Sequence, residues 1–404
     1  MSVTATTLAA TPGPAPAPEP AGARPATGVD VSPAALTRLT ATLAQHAPVH
    51  DADASFPWPG IRAVHEAGLL TATVGRRYGG DPLTARQLVD VFLALGEGDP
   101  SVALITAMTL VQHALQDQTP TWPDELYRRV LAESATRPTL INAIRAEPEL
   151  GAPARGGLPL TIARRTADGW SVSGRKGFAT GSEGLAYHSV WVVTDEPEPR
   201  VGHVIIPGDD PGITIVRTWD HLGQRASSTH DVIYDDVRVP EQNFAGAPVG
   251  TAPNNPSRPG GWSIAVPALY TGVARAALNA FVRFAHERVP TSLGRPIATL
   301  ERIQTVAGEA RAQIVQAELV LYAVADATDA HREIPGADQL VKLLTSRNAI
   351  AAVEGIVAAV GNPGLTRSLP FERHLRDVLA ARPHPPQDDA ALLSTGRALL
   401  STRT

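Results

Sequence analysis

The segment GRKGFATG (Gly174–Gly181) sets a phenylalanine and a threonine two positions apart, Phe178 and Thr180. Residues i and i+2 of a β-strand share a face. Phe178 can therefore offer an apolar wall to a planar ring while the Thr180 hydroxyl reaches a ring heteroatom. The same pair also fits a core phenylalanine beside a strand-end threonine, the commoner fate of an aromatic side chain. His384, in the loop ARPHPPQDD, is a candidate acid–base group. An imidazole titrating near pH ~6.5 can donate or accept at neutral pH, although a lone loop histidine is more often structural or solvated. Asn142, in the apolar run Pro138–Ala146, needs partners if buried, from backbone or from a bound molecule. His113 lies in an almost wholly apolar segment and reads as a core histidine that could also line a pocket.

Composition narrows the chemistry. The 404 residues carry a formal net charge of −5, and lysine occurs only at Lys176 and Lys342. Such a chain has no basic footprint for nucleic acid or acidic membranes. With no cysteine there is no disulfide, thiolate metal site or cysteine nucleophile, and no metal site is assigned. The Gly/Pro/Ala loop Gly151–Pro159 lacks a phosphate-loop lysine and a dinucleotide fingerprint, so a nicotinamide Rossmann domain is not supported. Residues Ser2–Gly28 are Ala/Pro/Thr-rich and read as a disordered tail without a signal-peptide pattern, hence an expected cytoplasmic location.

The elements that must position these residues form an α, β, α plan. Gly169–Val193 and Thr218–Pro240 alternate apolar and polar residues between Gly, Asp and Pro punctuation, which predicts strands of a small antiparallel barrel. Before it, Ser32-Pro33 starts a helix, Pro59–Ala67 forms a second and Thr84–Leu95 a third. Gly96–Pro100 is expected to break that third helix before Ser101 caps an apolar helix to about Gln116. After it, Trp262–Val289, Thr299–Thr328, Asp338–Val360 and Asp388–Leu400 read as an antiparallel four-helix bundle. The fold class is α+β multidomain: a helical domain at 29–137, a middle β-barrel at 138–244, a linker at 245–261 and the bundle at 262–404. No internal repeat and no membrane-length apolar run is read.

Five motifs, in order, carry a family resemblance: RRYGG (Arg76–Gly80), GRKGFATG, HLGQRASSTHDVIYDDVRVP (His221–Pro240), ERVPTSLGRPI (Glu287–Ile297) and PFERHLRD (Pro370–Asp377). From about Ala35 to Leu400 the chain resembles the acyl-CoA dehydrogenase superfamily of flavoenzymes. The resemblance implies the three-domain fold, a flavin (FAD or FMN) and a homodimer or homotetramer. It also implies that Phe178 and Thr180 face the isoalloxazine ring, and that Arg288 and Gln304 hold the cofactor's diphosphate and adenosine part across a subunit interface.

The chain departs from the family's dehydrogenases where they carry a catalytic glutamate. One version of that position holds Pro385 here, and the other falls at Trp262 with its neighbours Gly261 and Ser263. Neither proline nor tryptophan can take the α-proton of a thioester. The departures resemble the two-component flavin monooxygenases such as dibenzothiophene monooxygenase, in which a separate flavin reductase supplies reduced flavin. Asn142-Ala143, Trp219-Asp220, Gln224 and His384 match that branch, and Thr180 replaces its serine. Ala146 and Ala152 stand where dehydrogenases have hydroxyl residues, implying weaker or exchangeable flavin. The expected function is a flavin oxidoreductase of monooxygenase type acting on a small molecule. The alternatives are an acyl-thioester dehydrogenase with a displaced base and a non-catalytic subunit.

Overall fold

The computed structural model describes residues 28–150, 157–251 and 262–401. The expected tail at 1–27, Ala152 and most of the 245–261 linker lie outside them, as do the side chains of Trp262 and Ser263. Helix α1 (Pro33–Asp53) begins as expected: Ser32 Oγ accepts from Ala35 N at 3.3 Å, and Leu36, Leu39 and Leu43 are buried. After α2 (Trp58–Glu66), helix α3 (Ala85–Gly98) opens with a Thr84/Gln87 capping box. Gly96 and Gly98, expected to end α3, lie inside it. A Cβ on Gly96 would sit 2.1 Å from Leu269 O, so the glycine permits close approach of the helix α6 (Trp262–Glu287). Asp99, not Ser101, caps α4 (Pro100–Gln118), accepting from Ser101 N at 2.8 Å and Val102 N at 3.3 Å. Helix α5 (Asp124–Ser134) completes this layer.

The middle domain is one sheet of eight strands: β1 (Leu140–Ile144), β2 (Ile162–Arg165), β3 (Gly169–Ala179), β4 (Leu185–Thr194), β5 (Arg200–Pro207), β6 (Ile213–Val216), β7 (His230–Pro240) and β8 (Phe244–Pro248). The order is β6-β7-β3-β2-β4-β5-β8, with β1 on β4. The ladders are antiparallel except that β1 and β2 each run parallel to β4, so the sheet is mixed. Ala245–Pro248, read as linker, pair with β5. Trp170, Val172, Val190 and Val192, the residues whose alternation predicted the strands, are all buried.

In the C-terminal part, α6, α7 (Glu301–Asp329) and α8 (Ala337–Val360) pack on one another, and α10 (Asp388–Ser401) lies on α8. A further helix, α9 (Phe371–Leu379), packs on α6 and α8. It coincides with the PFERHLRD motif, for which no helix was expected. Against the expectation of no membrane-length run, Ile264–Glu287 and Leu340–Val360 are long and apolar enough to cross a membrane. The reason is their place in the bundle: Ile264, Leu269, Tyr270, Val273 and Phe281 of α6 are core residues, touched by α3, α4 and α9 as well as by α7 and α8.

Candidate active site

The end of β3 is irregular. Between the pairs Lys176↔Val232 and Ala179↔His230, two residues of β3 oppose one of β7, and Phe178 takes a left-handed φ of 54°. Phe178 and Thr180 therefore do not share a strand face. The bulge turns the Phe178 ring outward, where it is 69% exposed, while Thr180 just past the strand is buried. Phe178 meets Trp219 edge to face at 6.5 Å and 84°. Trp219 in turn stacks on His221 at 4.3 Å and 8°, and is fixed by Nε1 donating to Gln224 O and by its N donating to His230 Nδ1, both at 3.0 Å.

Behind this aromatic wall runs a line of hydroxyls. Ser227 Oγ and Thr229 Oγ1 are 2.7 Å apart, and Thr229 Oγ1 donates to Thr180 Oγ1 at 3.2 Å. Thr180 is thus an acceptor from its own protein and keeps its proton for a ligand. Asn142, buried on β1, donates Nδ2 to Thr180 O at 2.9 Å, so its amide holds the wall from behind. An exposed aromatic face beside an oriented hydroxyl fits the isoalloxazine ring that the sequence implied.

Gln224 links this wall to the C-terminal helices. Its backbone is left-handed at φ 49°, its O receives Trp219 Nε1, and its N donates to Asp377 Oδ1 at 2.6 Å. Burial pushes the Asp377 carboxyl up to about 7, opposed by the Arg373 charge and the Gln224 N–H. The Gln224 side chain lies by the Tyr270 hydroxyl, yet its buried Nε2 has no partner among the described residues. Tyr270, fully buried on α6, meets His384 Nδ1 at 2.9 Å. Contacts therefore run from Phe178 through Trp219 and Gln224 to Tyr270 and His384. Tyr270 and Asp377 are additions to the expected set. Asp377 had a signal in the Arg-Asp pair of PFERHLRD, whereas Tyr270 had none.

The other candidates separate. Arg288 and Gln304 are exposed at the α6–α7 connection, where Arg288 O accepts from Ile297 N and Gln304 Nε2 donates to Ala298 O, both at 3.0 Å. They form a second group. His113 is fully buried against Tyr127 OH at 2.8 Å, and burial lowers it to about 4, so it is a neutral core histidine. Nearby carboxylates are engaged. Glu147 takes Lys176 Nζ at 2.7 Å plus Leu160 N, Thr161 N and Thr161 Oγ1, and Glu183 pairs with Arg217 and Ser228 and is lowered to about 2, desolvation being outweighed by its His230 and Arg217 contacts. Among the described residues no His/Cys/Asp/Glu group could hold a metal ion.

Family models for the acyl-CoA dehydrogenase N-terminal, middle and C-terminal domains match residues 34–121, 143–237 and 263–387. Putative acyl-CoA dehydrogenase YdbM of Bacillus subtilis (strain 168) is 30% identical over 363 residues, 88% of this chain and 93% of that protein. KijD3 in complex with FMN and dTDP-3-amino-2,3,6-trideoxy-4-keto-3-methyl-D-glucose superposes with a TM-score of 0.77 at 25% identity, covering 94% of this chain and 96% of that one. FMN-bound TdsC from Paenibacillus sp. A11-2 gives 0.80 at 20% identity over 92% and 97%, a likeness of fold.

Proposed function

Because the chain belongs to the acyl-CoA dehydrogenase family, we propose that it is a flavin-dependent oxidoreductase that works as a two-component monooxygenase. The observation that carries the reading is the pair Tyr270–His384 at 2.9 Å, with Pro385 next in sequence where the family's dehydrogenases carry their glutamate. Bound flavin would supply the redox chemistry. Phe178 and Trp219 would wall its ring, Thr180 would donate to a ring heteroatom, and Asn142 would hold Thr180 in place. His384 would exchange a proton with, or hydrogen-bond, the substrate.

FMN is supported by the FMN-bound relative KijD3; FAD would be favoured if Arg288 and Gln304 serve a diphosphate from a neighbouring copy. The exposed leucines Leu392, Leu393 and Leu400 on α10 are apolar surface of the kind that association covers, and a homo-oligomer and a separate reductase are parts of the proposal. The second reading, an acyl-thioester dehydrogenase, is favoured by the 30% identity to YdbM. It would need a base other than the fully engaged Glu147 and Glu183.

An anaerobic titration with oxidised and with reduced FMN tests the reading. Tighter binding of the reduced form, and oxygen consumption that falls about 100-fold in His384→Ala, are expected. Tight oxidised flavin with no oxygen chemistry would overturn it.

A further inference from the structure

Tyr270 and His384 stand 114 positions apart in sequence, on α6 and on the loop that precedes α10. Their rings are 5.9 Å apart at 67°, so the contact at 2.9 Å between the Tyr270 hydroxyl and Nδ1 is a side-on hydrogen bond and not a stack. A neutral imidazole has one N–H, and the partner of one nitrogen fixes which nitrogen carries it. Tyr270 is fully buried, and desolvation raises its phenol far above the usual range, with the Asp377 charge adding to it. The hydroxyl therefore keeps its single proton and can give it to Nδ1. The amide of Gln224 beside that hydroxyl is suited to donate toward the phenol oxygen, which leaves the phenol proton for the histidine.

We infer that Tyr270 is a positioning residue that holds His384 as the Nε2-protonated tautomer, so that the imidazole turns an N–H donor, and not a lone pair, toward the reaction space. The inference rests on the proposed role of His384, but the tautomer is a property of the protein alone and is measured without flavin or substrate. In this arrangement His384 meets the reaction space as a hydrogen-bond donor. Removing the hydroxyl takes away this constraint on the tautomer without removing any atom of the histidine.

Nitrogen NMR of the protein labelled with ¹⁵N-histidine reads this directly, the His384 signals being assigned by their loss in His384→Gln. Wild type is expected to show a pyridine-like Nδ1 and a pyrrole-like Nε2. Tyr270→Phe is expected to shift both toward averaged values while near-ultraviolet dichroism stays native. In turnover, Tyr270→Phe should lower kcat with KM little changed, and His384→Gln, whose amide can donate from the Nε2 position, should retain more activity than His384→Ala. A pyrrole-like Nδ1 in wild type would overturn the inference, as would an unchanged tautomer in a folded Tyr270→Phe. If that variant does not fold, the wild-type spectrum alone decides between the two tautomers. A correct tautomer with no oxygen chemistry would leave this inference standing and sink the monooxygenase reading instead.

Discussion

Arg376 grips Asp51 with two nitrogens, Nη1 to Oδ1 at 2.8 Å and Nη2 to Oδ2 at 2.6 Å, and so ties α9 to the end of α1. The same guanidinium holds Glu372 on its own helix and donates to Leu222 O of the middle domain at 3.0 Å. Arg225 of that domain returns to Asp51 O at 2.8 Å. One ion pair thus fastens all three domains around the loop that carries Trp219 and Gln224. The close packing here leaves no room for a side chain at Gly223, where a Cβ would lie 2.1 Å from Arg376 O.

Loss of this clamp should be felt as stability. Arg376→Met leaves Asp51 and Glu372 half-buried without their cation, and the expected penalty is about 2–4 kcal/mol in a denaturant titration. Arg376→Lys should recover only part of it, because an ammonium cannot reproduce the two-pronged grip. A full recovery by lysine would show that charge alone matters.

Phe178 should display the opposite balance. Its ring is 69% exposed and its backbone is left-handed, a conformation that costs a non-glycine residue about 1–3 kcal/mol. Phe178→Gly is expected to melt at or above the wild-type temperature while binding FMN at least 10-fold more weakly. Calorimetry and flavin fluorescence check the two halves separately. A large drop in melting temperature would make Phe178 a packing residue.

How far the sequence foretold this arrangement depends on range. The start of α1 was legible because Ser32, Pro33 and the leucine spacing act within one or two turns, and the sheet was legible because Trp170, Val172, Val190 and Val192 alternate. Gly96 and Gly98 misled because their reason lies at Leu269 of α6 and at Leu43 of α1, not in their own helix. Phe178 and Thr180 do lie together at the end of β3, but the two-residue period expected to align them is broken by a bulge set by pairing with β7. The partner of His384 is a tyrosine with no local mark of its task. Only folding brings it there.

Asp377 predicts a pH signature. Its carboxyl is raised from 3.8 to about 7 in the folded chain, mainly by burial, so the folded state binds its proton more tightly than the unfolded one. Stability from this group is present below about pH 4 and is lost as pH rises toward and through 7, at up to about 1.4 kcal/mol per pKa unit. Asp377→Asn keeps an oxygen for Gln224 N and cannot ionise. It should be more stable than wild type at pH 8 and should lack the decline between pH 5 and 8, measured by urea unfolding across that range. A variant that follows the wild-type slope would place the titration elsewhere.

Arg288 tests the outer group. The side chain is exposed at the α6–α7 connection, so Arg288→Ala should leave the melting temperature within about 1 °C while weakening FAD more than FMN, which lacks the adenosine half. Size-exclusion chromatography of wild type should give a particle larger than one chain. A monomer with the same preference between the two flavins in wild type and variant would remove Arg288 and Gln304 from the cofactor site.

The most direct test of the central claim is anaerobic stopped-flow absorbance of the flavin-loaded protein mixed with acyl-CoA thioesters of short, medium and long chain. Pro385 stands where the family's dehydrogenases carry their glutamate, Glu147 and Glu183 are fully engaged, and Asp377 is buried against Gln224 N. His384 turns an N–H and not a lone pair toward the substrate, so none of these groups is placed to take the α-proton. The oxidised flavin band should persist for every chain length in wild type and bleach only in Pro385→Glu. Rapid bleaching of the wild-type band by any of these thioesters would contradict the monooxygenase reading and make the chain a dehydrogenase with its base elsewhere.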